Sequence, residues 1–191
     1  MKRIISFLGL TAVFTVMVFA QTAAQIYSIG DRGPAGGIIF YDKGEFADGW
    51  RYLEAAPPET EFRAECGTYG QTVAGTNTGV GFGKQNTALM VRKLDELGVS
   101  DCAAQLCASM NHGGFNDWFL PSKDELDLMF KNLSENGMGD FKTENDRVNR
   151  TNVYLSSSKA PVGNTWGQIF RGGLQSAYKA GAYSVRAIRA F

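Results

Sequence analysis

The sequence predicts an α+β fold in a single domain, with strands at both ends of the chain, two to three helices between them and mostly antiparallel sheets. Three observations predict it. The string Asp117 to Phe130 writes an extended apolar run, a hard stop and a capped helix in succession. An Asp48-Gly49 pair separates two apolar, β-rich runs, which is hairpin chemistry. The last forty residues alternate apolar and polar side chains around a Gly172-Gly173 pair, the period expected of antiparallel strands with one wet face.

Taken in order, a turn-rich piece from Gly30 to Gly37 leads into a strand at Ile38 to Tyr41, and a second strand is expected at Trp50 to Ala55. Gly67 to Gly83, rich in Gly, Thr and Asn, reads as a long surface loop. Helices are expected at Asn86 to Leu97, with Met90, Val91, Leu94 and Leu97 on one side, and at Asp101 to Asn111, ended by Gly113 and Gly114. Trp118, Phe119 and Leu120 form a short strand that Pro121 stops, since proline lacks the N–H that a ladder needs. Ser122 and Glu125 then form a capping box for a third helix, whose Leu126, Met129, Phe130 and Leu133 share a face. A polar meander from Asn132 to Asn152 follows. Strands are expected at Val153 to Ser157, Thr165 to Arg171, Leu174 to Tyr178 and Tyr183 to Ala190, with Arg186 and Arg189 on a wet face and the N- and C-terminal strands paired.

Residues 1–24 read as a cleaved signal peptide: Lys2 and Arg3, an apolar run from Ile4 to Ala20 without acidic residues, and small residues at Ala20, Ala23 and Ala24. Residues 25–191 then form the single domain, exported to the periplasm, the cell surface or the medium, with no membrane span after cleavage. Removing Lys2 and Arg3 from the 19 basic residues leaves 17 against 19 acidic ones, a balance that argues against a nucleic-acid partner.

In an oxidising compartment three cysteines suggest one disulfide and one leftover thiol. Cys102 and Cys107 lie about 140° apart on a helical wheel and so should not pair with each other. Cys66 is the common partner, with Cys107 preferred because Ala103, Leu106 and Met110 share its apolar face, and Cys102 left open.

Motifs for chemistry are few. Gly79, Gly81, Gly83 and Lys84 resemble a phosphate loop, but Gln85 stands where a Walker motif needs Ser or Thr, and no strand feeds the loop. The single histidine, His112, is expected at a helix end on the dipole rather than as the base of a hydrolase. No EF-hand or zinc spacing occurs, so neither a metal nor a cofactor is expected, and no catalytic residue is identified. What remains is a surface of mixed aromatic and polar groups on the late strands: Trp166, Gln168, Phe170, Arg171, Gln175, Tyr178 and Tyr183. Such a set suits stacking and hydrogen bonding with a glycan or a protein.

Gly83-Lys84-Gln85-Asn86-Thr87, Ala103 to Cys107, Asp117-Trp118-Phe119-Leu120-Pro121-Ser122-Lys123-Asp124-Glu125-Leu126, Ser156-Ser157-Ser158, Trp166-Gly167-Gln168 and Val185 to Phe191 together resemble the C-terminal domain family of the Legionella collagen-like protein. The similarity runs in order from about Ile29 to Phe191. It implies a C-type lectin-like fold, in which the termini meet in a sheet and long loops display a ligand surface. It does not imply calcium-dependent sugar binding, because Glu-Pro-Asn and Trp-Asn-Asp are absent. Leu155 and Lys159 depart from the tryptophan and glutamate expected around the serine triplet. The expectation is therefore an exported, non-enzymatic binding or adhesion domain for a glycan or protein ligand. Two other readings are an enzyme on a related formylglycine-generating scaffold, which would need paired redox-active thiols in a pocket, and a variable ligand-display protein.

Overall fold

A computed structural model describes residues 25–191, so the expected signal peptide lies outside the described residues. Three helices and eight strands are present among the described residues, an α+β architecture. Strands β1 (Ile38–Ala47) and β2 (Trp50–Ala55) form the hairpin the sequence predicts. Its turn puts Asp48 at φ 54° and Gly49 at φ 83°, the pair of positive values that matches the twist of the flanking strands.

A short strand that the sequence did not signal, β3 (Phe62–Glu65), precedes the glycine-rich loop. Helix α1 (Gly83–Leu97) follows and ends on Gly98 in the left-handed conformation, while α2 (Ala103–Ala108) is a shorter helix than expected. Helix α3 (Lys123–Asn132) begins at the capping box: Glu125 N donates to Ser122 Oγ at 3.2 Å, and Ser122 N to Glu125 Oε2 at 2.7 Å. The last segment contains β4 (Val153–Lys159), β5 (Thr165–Ile169), β6 (Gln175–Tyr178), β7 (Ala182–Val185) and β8 (Ile188–Ala190).

Two sheets result, a three-stranded one of order β1-β2-β8 and a five-stranded one of order β3-β7-β4-β5-β6. All pairings are antiparallel except β4 with β7. The C-terminal strand therefore pairs near the start of the domain, as expected, and Arg51 and Tyr52 amides both donate to the Phe191 carbonyl. The single strand predicted for Tyr183 to Ala190 is instead broken between β7 and β8, because the chain crosses there from one sheet to the other. Arg186 and Arg189, expected on a wet face, are 2% and 4% exposed. Arg186 donates to the carbonyls of Ala56 and Gly139 and to Glu61, and lies over the Phe141 ring. Arg189 makes a bidentate pair with Asp117 (2.9 and 3.1 Å), reaches Glu54 at 3.4 Å and stacks on Phe115. Glu54 in turn accepts from the Ala35 and Gly37 amides, closing the turn-rich N-terminal piece.

Trp118, Phe119 and Leu120 are extended and buried, but only Phe119 pairs, through two backbone bonds to Ile188. Period-two alternation sends their side chains to opposite sides. Trp118 and Leu120 join the cluster of Met90, Leu94, Cys107, Leu155 and Val185, whereas Phe119 joins that of Phe40, Leu53, Leu126, Phe130, Tyr154 and Phe170.

Helix α1 is docked on this segment by the second face of the Glu125 carboxylate, whose Oε1 accepts from Gly81 N at 2.8 Å and, more weakly, from Gly83 N. Gly83 must be glycine, since a Cβ there would collide with that carboxylate and with the Leu120 carbonyl. Burial raises the pKa of Glu125, opposed by the amide hydrogen bonds from Ser122, Gly81 and Gly83.

Removing this carboxylate leaves buried amides of two segments without an acceptor. Glu125→Ala is expected to lower stability by about 3 kcal/mol in urea denaturation. Glu125→Gln should cost a comparable amount, because its NH2 group must face amide donors on one side. Asp117 gives a pH signature. Burial alone would raise its carboxyl, but the Arg189 bond prevails and holds it below the ordinary 3.8. Its stabilisation is present above that unfolded-state value and is lost as the pH falls through the lower folded-state value. The acid limb of a stability-against-pH curve should show this loss, and Asp117→Asn should remove that contribution.

Candidate functional site

The seven late-strand residues do not form one surface, because strand alternation divides them between two faces. Opposed residues of an antiparallel pair share a face, and the β5–β6 register sets Trp166 against Ala177, Gln168 against Gln175 and Thr165 against Tyr178. Trp166, Gln168, Phe170 and Gln175 therefore turn toward α3. There Gln168, fully buried, donates to Asp127 at 2.8 Å and to the Gly173 carbonyl, and accepts from Gln175. Gln175 also donates to the Lys123 carbonyl, and the Lys123 ammonium lies 4.9 Å from the Trp166 ring. Phe170 stacks on Tyr154 at 4.3 Å in the core. Gln168, Phe170 and the likewise buried Tyr183 are thus corrected from surface to interior positions.

Arg171 and Tyr178 remain, on the opposite face, and both line a cavity of about 720 Å3. The rest of its wall is Ile169 on β5 and Asn145, Asp146, Arg147, Arg150 and Asn152, all from the stretch that reads as a featureless polar meander. That stretch is built by local bonds. Asp146 Oδ1 accepts from the Val148 and Asn149 amides at 3.1 and 2.8 Å, and Oδ2 from the Thr151 hydroxyl at 3.1 Å. Arg150, at φ 53°, closes the turn with its amide on the Asp146 carbonyl. Its guanidinium donates to the Tyr183 hydroxyl at 3.3 Å, and Tyr183 meets Tyr178 edge to face at 5.2 Å.

The cavity is cationic. Three arginines face it against one carboxylate, and no ion pair engages Arg147, Arg150 or Arg171 among the described residues. The Asn149 amide, first among several donors, holds Asp146 below the usual carboxylate range, so that group stays ionised while its lone pairs serve the loop. Burial raises the Tyr178 phenol, which keeps it a neutral donor. Arg147 and Arg150 could have been found only by placing the meander against β5, since nothing in their spacing marks them.

The remaining candidates are structural. The serine triplet is buried: Ser157 donates its hydroxyl and amide to the Pro121 carbonyl, and Ser158 accepts from Lys123 N and donates to the Asn77 carbonyl. His112 lies beyond the end of α2 in a tight turn bridged to Phe115, not on the helix end as expected. The expected Cys66 to Cys107 disulfide is not formed, because the two thiols sit in different surroundings. All three cysteines are free and buried. Cys66 Sγ meets the hydroxyls of Thr165 and Thr68 at 2.7 and 3.0 Å, whereas Cys107 lies wholly within the apolar core, where burial raises its thiol. Cys102 Sγ faces the Ser100 carbonyl and packs against Gly67.

No helix among the described residues is long and apolar enough to cross a membrane. No protein-family model matches the chain, and no curated protein matches it.

The division of the strand faces is measurable. Phe170→Ala is expected to destabilise the fold by about 3–5 kcal/mol. Arg171→Ala, one residue away, should shift stability by no more than about 0.5 kcal/mol, as thermal or urea unfolding would report.

Proposed function

We propose that this chain is a non-enzymatic binding domain, exported and C-type lectin-like, that takes an acidic glycan in the arginine-lined cavity. The observation that carries the reading is the convergence of Arg147, Arg150 and Arg171, none of them in an ion pair among the described residues, on one concave surface. Guanidinium groups present a planar fork of donors suited to sulfate or carboxylate, and those without a carboxylate partner need no pair broken before a ligand binds. Tyr178 and Ile169 supply an apolar wall for a sugar ring, while Asn145 and Asn152 supply amide groups at the same rim.

The near-neutral charge of the chain does not oppose this reading, since ligand recognition depends on the local field rather than on the sum. The family resemblance supports it as well. The pairing of termini and the long connections that carry the cavity are what such a binding scaffold requires.

Titration with a sulfated and a matched desulfated oligosaccharide tests the proposal. Binding should favour the acidic form and weaken as salt rises. Arg147→Ala and Arg171→Ala should each reduce affinity about tenfold, equivalent to about 1.4 kcal/mol, without loss of folding. Equal binding of both oligosaccharides, or unchanged affinity in the double variant, would remove the cavity from consideration.

A further inference from the structure

Lys159, at the end of β4, is half-buried and holds four neutral acceptors: the Gly163 carbonyl at 2.7 Å, the Thr68 hydroxyl at 3.0 Å, the Thr68 carbonyl at 3.1 Å and the Thr165 hydroxyl at 3.3 Å. Both of those hydroxyl oxygens also touch Cys66 Sγ. Proton accounting fixes the direction of the bonds. An ammonium can only donate, so each threonine oxygen accepts from Lys159 and is free to turn its own proton toward the sulfur. The thiol and the amine thus face each other across two hydroxyls, though 93 positions apart in sequence.

Neither other cysteine has a nitrogen nucleophile in this position. Cys102 is turned to the Ser100 carbonyl, and Cys107 is enclosed by apolar side chains. No carboxylate pairs with Lys159 among the described residues, and burial lowers its pKa, which favours the free amine; the nearby Cys66 opposes that shift. Thr68 and Gly163 belong to the glycine-rich loop and to the β4–β5 turn, so Lys159 already ties these two segments together.

We propose that Cys66 and Lys159 are the two ends of an oxidative cross-link, formed with hydrogen peroxide as the oxidant. The peroxide O–O bond breaks as the Cys66 sulfur takes one oxygen, giving a sulfenic acid and one water. The unprotonated Lys159 amine then attacks that sulfur. An S–N bond forms, the S–O bond breaks, and the hydroxide leaves with the amine proton as a second water. The thiol and amine together lose two hydrogens, and the peroxide is reduced to two waters. The product is a sulfenamide that staples Cys66, just past the end of β3 where the glycine-rich loop begins, to the end of β4 in a chain whose cysteines are unpaired.

Purified reduced protein treated with one equivalent of hydrogen peroxide should lose the mass of two hydrogens, and dithiothreitol should restore it. Tandem mass spectrometry of a digest should join the Cys66 and Lys159 peptides, with Cys102 and Cys107 still open to alkylation after denaturation. Cys66→Ser should abolish the link. Lys159→Arg should also abolish it, because a guanidinium stays protonated and is no nucleophile, and circular dichroism of that variant checks that its fold is retained. A disulfide from Cys66 to Cys102 or Cys107 would show the same mass loss but different linked peptides, and would overturn the proposal. So would progression of Cys66 to a sulfinic acid, or no change in mass.

Discussion

The architecture turns on one buried carboxylate. Glu125 caps its own helix through Ser122 N and holds the amides that lead into α1 through Oε1, so two helices from distant parts of the chain begin at the same side chain. A carboxylate carries enough lone pairs to do both at once, and burial makes each missing acceptor costly. Further hydrogen bonds hold the same joint. Thr87 of α1 accepts from Leu120 N and donates to carbonyls at Gly83 and Leu120, and the Asp124 amide reaches the Thr78 carbonyl. With that joint fixed, the Pro121 carbonyl and the Lys123 amide become the groups to which Ser157 and Ser158 of β4 are bonded, and β4 is the centre of the five-stranded sheet.

From this joint the sheet carries its two faces to different ends. The face toward α3 is filled by Phe170, Gln168 and Gln175 and is consumed by packing and hydrogen bonds. The other face is left to Arg171 and Tyr178, and it is here that the loop from Asn145 to Asn152 closes a cavity. The two buried arginines near the C-terminus, Arg186 between β7 and β8 and Arg189 on β8, belong to the first kind of use. Arg186 and Arg189 hold the carboxylates of Glu61, Glu54 and Asp117, all distant in sequence, so their charge is neutralised within the fold. Arg147 and Arg171 have no such partner among the described residues, and their charge is directed outward.

Much of this was legible in the sequence because the deciding signals are local. The capping box at Ser122 and Glu125 and the Asp48-Gly49 turn are each set by a few adjacent residues, and the α+β order follows from such signals; the glycine pair at 172 and 173, read as a two-residue turn, lies instead in a longer β5–β6 loop from Phe170 to Gly173. What could not be read is what depends on distant segments. Arg186 and Arg189 fit a wet strand face by alternation, but the chain changes sheets at Arg186 and both side chains find buried acids or carbonyls far away in sequence. Likewise Phe170 and Arg171 are equal as members of an aromatic and polar list. Only the position of α3 over one face decides that the first is core and the second is free.

A chain with balanced charges can hold a cationic site when its acids are engaged elsewhere. A sum over the sequence counts Asp42, Asp117 and Glu61 against the arginines, yet each of these acids is already paired with a particular arginine elsewhere in the fold: Asp42 with Arg51, Asp117 with Arg189 and Glu61 with Arg186. Subtracting paired groups leaves the field of the unpaired ones, and near the cavity these are arginines on a loop whose nearest carboxylate is occupied by its own backbone. Charge neutrality of the chain and charge at the site are independent quantities. The second is set by which side chains the fold leaves without partners.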